Sequence, residues 1–307
     1  MNIRQLHYFL QVAEQKSFTR AAALLHVAQP ALSRSVRALE ADLGVAVFHR
    51  SERGVTLTEA GELLQRRAAD LLAGFAHVRD EVGAQARELG GELMFGMPPS
   101  MQHLATVPLL RAFRREHPGV LLRFTEGISV ALGEGLQSGR VDVAVLAANE
   151  PLAALQSEPF LSEAMYLVGP RKARLSLKRA VSIERVAGEP LMVTLRPNSV
   201  RALIEAALAR VGRTLVPVLE ANATSVMLHM VTAGEGYTVL PYSALHEALA
   251  AGRVSAAPVA DLRMSWAIAY ARERTLSRAG RELTRLARQV ARAAIKRGDW
   301  VSAHLPD

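Results

Sequence analysis

Hydrophobic positions recur along this chain in two rhythms. Up to about residue 90 they return every three or four residues, and beyond it short apolar runs alternate with amphipathic stretches. Ile3, Leu6, Phe9, Leu10 and Ala13 share one face at helical spacing, which predicts a helix over 3–15. Ser17 suits the N-cap of a second helix, Thr19 to Leu25. After a break at His26 to Ala28, Gln29-Pro30 opens a third helix, with proline in the first turn where its missing N–H costs little. That helix runs to about Leu43 and stops at Gly44. Val47-Phe48-His49 and Val55-Thr56-Leu57 are β-prone runs on either side of Ser51 to Gly54, predicting a hairpin. Thr58 then caps a long helix reaching about Leu89, its apolar positions from Ala60 to Val82 spaced three and four apart. Gly90-Gly91 ends it.

The second half reads as strand and helix in alternation. Strands are expected at ELMFGMP, Val120–Thr125 and VDVAVLA, with helices at Gln102–Glu116 and Val130–Gly139. A second set comprises the strands MYLVGP, PLMVTL, LVPVLEA and GYTVLP and the helices Ser199–Val211, Ser225–Ala233 and Ala244–Ala251. Val254–Pro258 and MSWAIAYA are late strands, and Leu276–Lys296 is a final helix. Such alternation predicts parallel sheets covered on both faces. The strands are too many for one small sheet, so two α/β lobes are expected. The domains follow as 1–58, a linker helix 59–90, and 91–307, with lobe I at about 91–162 and 266–303 and lobe II at about 163–265.

Composition narrows the chemistry. The length of 307 residues suits two or three domains at roughly 100–200 residues each. With no cysteine there is no disulfide scaffold, thiol nucleophile or Cys-containing zinc site. Arg4, Glu14, Lys16 and Arg20 are spread evenly through the first 30 residues, unlike a secretory leader, and no uncharged apolar run is long enough to span a bilayer. A cytoplasmic protein without membrane partners is expected. The net charge of +8 is concentrated downstream: residues 1–60 hold seven basic and five acidic groups, 171–185 six and one, and 272–299 nine and three. Bulk charge alone therefore assigns nothing to the N-terminus.

Placement does more. A helix, a turn, a second helix and a wing form a unit whose second helix can enter a major groove. With Leu32, Val36 and Leu39 inward, Gln29, Ser33, Arg34 and Arg37 point out, all suited to base edges or phosphates. Ala28, Ala31 and Ser35 are small enough for close approach, and Arg53 sits at the wing tip. A solvated surface helix and an ordinary turn share these patterns. The long helix leaves an apolar edge that a second copy would cover, giving a two-fold dimer.

The run SFTRAAALLHVAQPALSRSVRALEADLGVAVFHRSERGVTLTEAG adds specific motifs: Ser-Phe-Thr-x-Ala-Ala, Gln-Pro-Ala-Leu-Ser, Leu-Glu-x-x-Leu-Gly and Leu-Thr-x-x-Gly. It closely resembles the N-terminal domain of LysR-type transcriptional regulators. The resemblance implies an α/β protein with an N-terminal winged helix-turn-helix, a long dimerising linker helix and a C-terminal two-lobed domain like periplasmic binding proteins. It implies contacts to double-stranded DNA from Gln29, Pro30, Ser33, Arg34, Arg37 and the wing residue Arg53, with Thr19 and Arg20 near the backbone. It also implies tetramers on DNA and a small-molecule effector; RNA polymerase is a further candidate partner.

Ligands of two-lobed α/β folds bind where strand ends meet helix starts. The family's effector positions match Ser100, Ser129, Thr194 and Thr224, while Arg196 and Asn198 join them by location. Hydroxyls and helix N-termini favour an anion, although Ser, Thr and Asn at such junctions also serve as plain N-caps. No enzyme, cofactor or metal is expected. His246-Glu247 has Ala250 where a zinc helix needs its second histidine, Gly133, Gly135 and Gly139 miss dinucleotide spacing, and there is no Gly-x-Ser-x-Gly elbow or P-loop. The competing class is a cytoplasmic small-molecule receptor with no DNA role.

Overall fold

The N-terminal apolar stripes fold much as their spacing dictates. In the computed structural model, which describes residues 1–51, 54–83, 89–148 and 155–306, the first helix α1 spans Ile3–Gln15. Asn2 and Gln5 cap it reciprocally, each side chain accepting from the other's backbone N–H. Ser17 caps α2 (Phe18–Leu24) by accepting from the Arg20 N–H. The third helix, α3 (Gln29–Leu43), carries Pro30 in its first turn and ends at Gly44, whose φ of 70° is the left-handed conformation expected of a terminating glycine. β1 (Phe48–Ser51) pairs antiparallel with β2 (Gly54–Leu57). α4 follows as Glu59–Gly83, with the Thr58 hydroxyl accepting from the Gly61 N–H at 3.0 Å. The end of the long helix at 84–88 lies outside the described residues.

These elements close over one core in which Phe9, Val12, Leu32, Val36, Leu39 and Val47 are fully buried. The Phe48 ring packs tilted against Phe9 and edge-on against Phe18, at centroid distances of 5.2 and 5.8 Å. Glu40 fastens the wing to α3: one carboxylate oxygen accepts from the Val47 N–H and the other from Arg50. The Arg50 guanidinium also lies 5.0 Å from the Phe18 ring centre. α4 can approach only because residue 61 is glycine, since a Cβ there would fall on the Val47 carbonyl oxygen.

The two compact units of the chain are Met1–Arg87 with Gln137–Gly139 and Glu273–Thr275, and the remaining residues. Among the described residues of the second, eight strands form one sheet. β3 (Gly91–Met97) pairs in parallel with β4 (Val120–Glu126) and β5 (Val143–Ala147). β7 (Leu191–Val193) pairs in parallel with β8 (Pro217–Glu220) and β9 (Tyr237–Pro241). Between these triplets run β6 (Leu155–Pro170) and β10 (Val254–Ala271), antiparallel to each other and to their neighbours β9 and β5. The sheet order is β4-β3-β5-β10-β6-β9-β7-β8, so each triplet forms the sheet of one lobe.

Three expectations need correction. The sheet is mixed and continuous because the short run MYLVGP is the end of a 16-residue strand. The two late strands are likewise one strand of 18 residues. Polar stretches interrupt the apolar alternation in both, and irregularities at Pro258/Arg263 and Trp266/Ala267 shift the register, so sequence pattern divides what backbone pairing joins. The helix expected from Gln102 begins instead as a 3₁₀ turn (Pro99–Met101) and a π turn (Gln102–Thr106) before α5 (Val107–Glu116). Pro108 supplies no N–H to the helical ladder there. α6 (Ser129–Gln137), a short α7 (Ile183–Ala187), α8 (Ser199–Arg210), α9 (Thr224–Ala233), α10 (Tyr242–Ala250) and α11 (Arg278–Arg297) complete the unit.

Gly61→Ala should force α4 off the wing and cost about 1–3 kcal/mol, read as a lower melting temperature. An unchanged melting temperature would show that α4 does not need this close approach.

Candidate DNA-reading face and interlobe cleft

The buried stripe of α3 dictates what the helix offers outward. Leu32, Val36 and Leu39 are inaccessible, which leaves Gln29, Pro30, Arg34 and Arg37 exposed and Ser33 half-buried. Small Ala31 and Ser35 are half-buried beside them. Arg34 and Arg37 have no carboxylate partner among the described residues, so their charges stand open. No side chain caps the first turn of α3, which frees backbone donors at that end. Thr19 is exposed at the start of α2. Arg20 is exposed too, but its Nε donates to the Gln15 carbonyl at 3.2 Å, tying the side chain to the end of α1. Arg53 lies outside the described residues.

In the second unit, Ser100, Ser129, Thr194, Asn198 and Thr224 line one cavity of about 70 Å³. The junctions after β3, β4, β7 and β8 bring them there, and the starts of α6, α8 and α9 border the same space. Part of this polar set is already committed to structure. The Ser129 hydroxyl accepts from the Ala147 N–H at 2.9 Å, and Asn198 caps α8 by accepting from the Val200 and Arg201 N–H groups. Thr194 is different. Among the described residues its hydroxyl has no hydrogen-bond partner, buried in a residue 8% exposed, a condition that a bound ligand would relieve.

Arg196 does not line the cavity. Its guanidinium turns away to the Glu205 carboxylate at 2.6 Å and is largely exposed, because a nearby carboxylate on α8 captures the charge. The cation that does bear on the site is Arg201, which the sequence reading passed over. Buried on α8, it bonds Glu205 at 2.8 Å, Glu220 at 2.9 Å and the Thr194 carbonyl at 3.1 Å. It thereby fixes the backbone that carries the free hydroxyl. Burial alone would raise the Glu205 carboxyl, but Arg201 and Arg196 hold it below its usual range.

Also missed were Asn222 and Trp266, both in the cavity wall. Asn222 accepts from the Leu195 N–H at 3.2 Å. Trp266 is held from behind by a fully buried carboxylate, Glu163 of β6. Glu163 accepts four bonds of 2.8 to 2.9 Å, from the Trp266 and Trp300 indoles and from the Ser243 N–H and hydroxyl. Both tryptophans of the chain therefore converge on one side chain. Burial pushes the Glu163 carboxyl above its usual range, against the downward pull of its donors. A lone Glu in a strand-forming run carries no sequence signal for this role. Next to the cavity, sharing Pro99, Ser100, Asn222 and Thr224, lies an outer groove of about 460 Å³ in which His103 meets Glu247 at 3.0 Å. No grouping of three metal-binding side chains occurs among the described residues, and none of their helices is long and apolar enough to cross a membrane.

Two family models match this arrangement. Residues 3–62 match the bacterial regulatory helix-turn-helix protein of the lysR family, and residues 86–292 match the LysR substrate binding domain. The chain belongs to the LysR-type transcriptional regulators. It is therefore a DNA-binding regulator with an effector-binding domain, not an enzyme. It is 33% identical over 297 residues to the HTH-type transcriptional regulator BbuR of Bordetella bronchiseptica, covering 96% of this chain and 91% of that one. It is 35% identical over 247 residues to the nitrogen assimilation regulatory protein nac of Klebsiella aerogenes, covering 80% and 79%. The structure of a full-length OxyR variant from Pseudomonas aeruginosa superposes with a TM-score of 0.80 at 26% identity, covering 95% and 97%. This LysR-type chain has no cysteine in its 307 residues, so no thiol of its own can serve as a switch.

Glu163→Gln would offer a single acceptor oxygen to four donors and should cost about 2–4 kcal/mol. Because the folded carboxyl is raised, wild-type stability should decline as pH climbs from the ordinary carboxylate range through that raised value. The variant should lose this slope. Melting curves across pH check both effects, and an unaltered profile would remove the role given to Glu163.

Proposed function

We propose that α3 reads the operator through Gln29, Pro30, Ser33, Arg34 and Arg37, with Thr19 and Arg20 on the adjoining backbone and Arg53 at the wing. The observation that carries this reading is the pair of uncompensated arginines on the outer side of a helix whose inner side is fully buried. A guanidinium can bond two acceptors on one guanine edge, and each good base contact is worth about 1–3 kcal/mol of discrimination. Self-association has support in α4, where Leu63, Leu71 and Phe75 remain 53%, 49% and 60% exposed. Covering them with the same helix of a second copy makes a two-fold dimer, whose half-sites lie about one helical turn apart. Tetramers and contact with RNA polymerase in the cytoplasm extend this reading.

The effector in this proposal is a small anion held by the hydroxyls of Ser100, Thr194 and Thr224 and by backbone N–H groups at the starts of α6 and α9. Ser129 and Asn198 brace that wall, while Arg196 serves the surface. The carrying observation is the buried, unsatisfied Thr194 hydroxyl. Ala223 precedes α9 without capping it, so donors at that helix start remain open. The ligand acts only through its different affinity for the lobe arrangements it selects between. α4 passes that choice to the DNA-reading heads.

Fluorescence anisotropy on DNA from directly upstream of the protein's own gene, against a scrambled duplex, tests the first part. Arg34→Ala should weaken specific binding about 10- to 100-fold without altering the melting temperature or oligomer. Wild-type discrimination in that variant would sink the assignment. For the second part, a panel of small carboxylates and inorganic oxyanions should raise the melting temperature of the wild-type protein. Thr194→Val should abolish the shift, and a shift retained in full would place the ligand elsewhere.

A further inference from the structure

Much of the basic excess belongs to neither the DNA-reading helix nor the cleft. α11 carries Arg278, Arg281, Arg285, Arg288, Arg292 and Lys296 at steps of three and four, one stripe along the helix. Its opposite side buries Leu283, Leu286, Ala287, Ala291 and Ala294 against the core, so the stripe faces outward. Two of the six charges are matched: Arg285 pairs with Glu282 and Glu116, and Arg288 with Glu158. Among the described residues, Arg278, Arg292 and Lys296 have no carboxylate partner. Arg281 donates to the Leu276 carbonyl and keeps its full charge. α5 packs beside α11 and adds Arg111 and Arg114, both exposed and likewise uncompensated.

We propose that this two-helix basic face is a second, sequence-independent DNA contact, engaging the phosphates of duplex that flanks the operator. Protein interfaces pair arginine anchors with large aromatic ones in desolvated pockets; no large hydrophobic side chain is exposed between Arg278 and Arg297, and on α5 Val107 alone is, at 42%. Phosphate binding needs only open cations in a firm row. From Arg278 to Lys296 the helix rises about 27 Å, a length over which duplex DNA carries roughly 16 charges. The chain already binds DNA through its first domain, so flanking duplex is present at high local concentration. A second basic segment makes a sharper contrast than a competitor. Arg171, Lys172, Arg174, Lys178 and Arg179 are exposed as well, but they sit on a short 3₁₀ turn and irregular chain that supplies no regular row.

The test uses the full chain and two duplexes: the operator trimmed to its footprint, and the same operator extended on both sides by arbitrary sequence. Binding is measured by anisotropy across a salt series for the wild-type protein and for R278Q/R281Q/R292Q/K296Q. On the extended duplex the wild-type salt slope should be steeper by about 2–4, roughly one per phosphate contact, and the variant should show the same slope on both. The variant must keep the wild-type melting temperature, as its four side chains are exposed; should it melt early, R292Q and K296Q carry the test singly. Equal wild-type slopes on the two duplexes would overturn the proposal. So would an equal loss in R171Q/K172Q/R174Q/K178Q, which reduces the effect to net charge. Binding to polyglutamate that the α11 variant loses, with no dependence on flanking DNA, would reassign the face to an acidic polypeptide and overturn it too.

Discussion

Two strands, Leu155–Pro170 and Val254–Ala271, run side by side through both lobes of the effector domain, and each lobe's parallel triplet attaches to one of them. Everything the cleft does depends on that pair. Near the point where the sheet passes from one lobe to the other, Glu163 of one strand accepts from Trp266 of the other, whose ring forms part of the cavity wall. The same carboxylate holds Ser243 at the start of α10 and Trp300 beyond α11. A buried carboxyl group with four neutral donors gains little net stability, yet it is costly to disturb. Such a group specifies one arrangement of the wall against its competitors, the specificity that the ligand proposed for this cavity calls for.

The same logic, in miniature, governs the DNA-binding unit. Its core is small, and the orientation of α3 relative to the wing rests on a few polar ties. Glu40 joins α3 to both Val47 and Arg50, and the Val47 carbonyl, which receives the Thr58 N–H, also marks the closest approach of α4. The motifs Leu-Glu-x-x-Leu-Gly and Leu-Thr-x-x-Gly thus contribute architecture rather than contacts. They hold rigid the helix whose outward side carries Arg34 and Arg37.

Arginine does three physically different jobs in this chain. Arg201 and Arg50 are structural, their charges matched by carboxylates and their positions fixed by additional bonds. Arg196, at an inviting place in sequence, is drawn off by Glu205. Arg34, Arg37 and the open members of the α11 row remain uncompensated. A count of positive residues treats all of these alike, which is why net charge locates no surface here.

Elements whose cause is local were legible in the order of amino acids alone. Caps at Ser17 and Thr58, the stop at Gly44 and the inward stripe of Leu32, Val36 and Leu39 follow from neighbours a few residues away. The outward side of α3 follows from that stripe by helical geometry alone. Four hydroxyl positions of the cleft were legible for a related reason, since strand-to-helix junctions are themselves local events. Packing in three dimensions settled the rest. The unity of β6 and of β10, the convergence of both tryptophans on Glu163, the Arg201 brace behind Thr194 and the diversion of Arg196 all join residues that the fold brings together. Glu163 and its tryptophans are more than a hundred residues apart, whereas Arg201 lies seven residues from Thr194. Arg196 and Glu205 are only nine apart, but the direction of a long flexible side chain is chosen by the charges around it. Periodicity records how a segment meets the core, and it carries no information about which buried group a distant side chain will meet there.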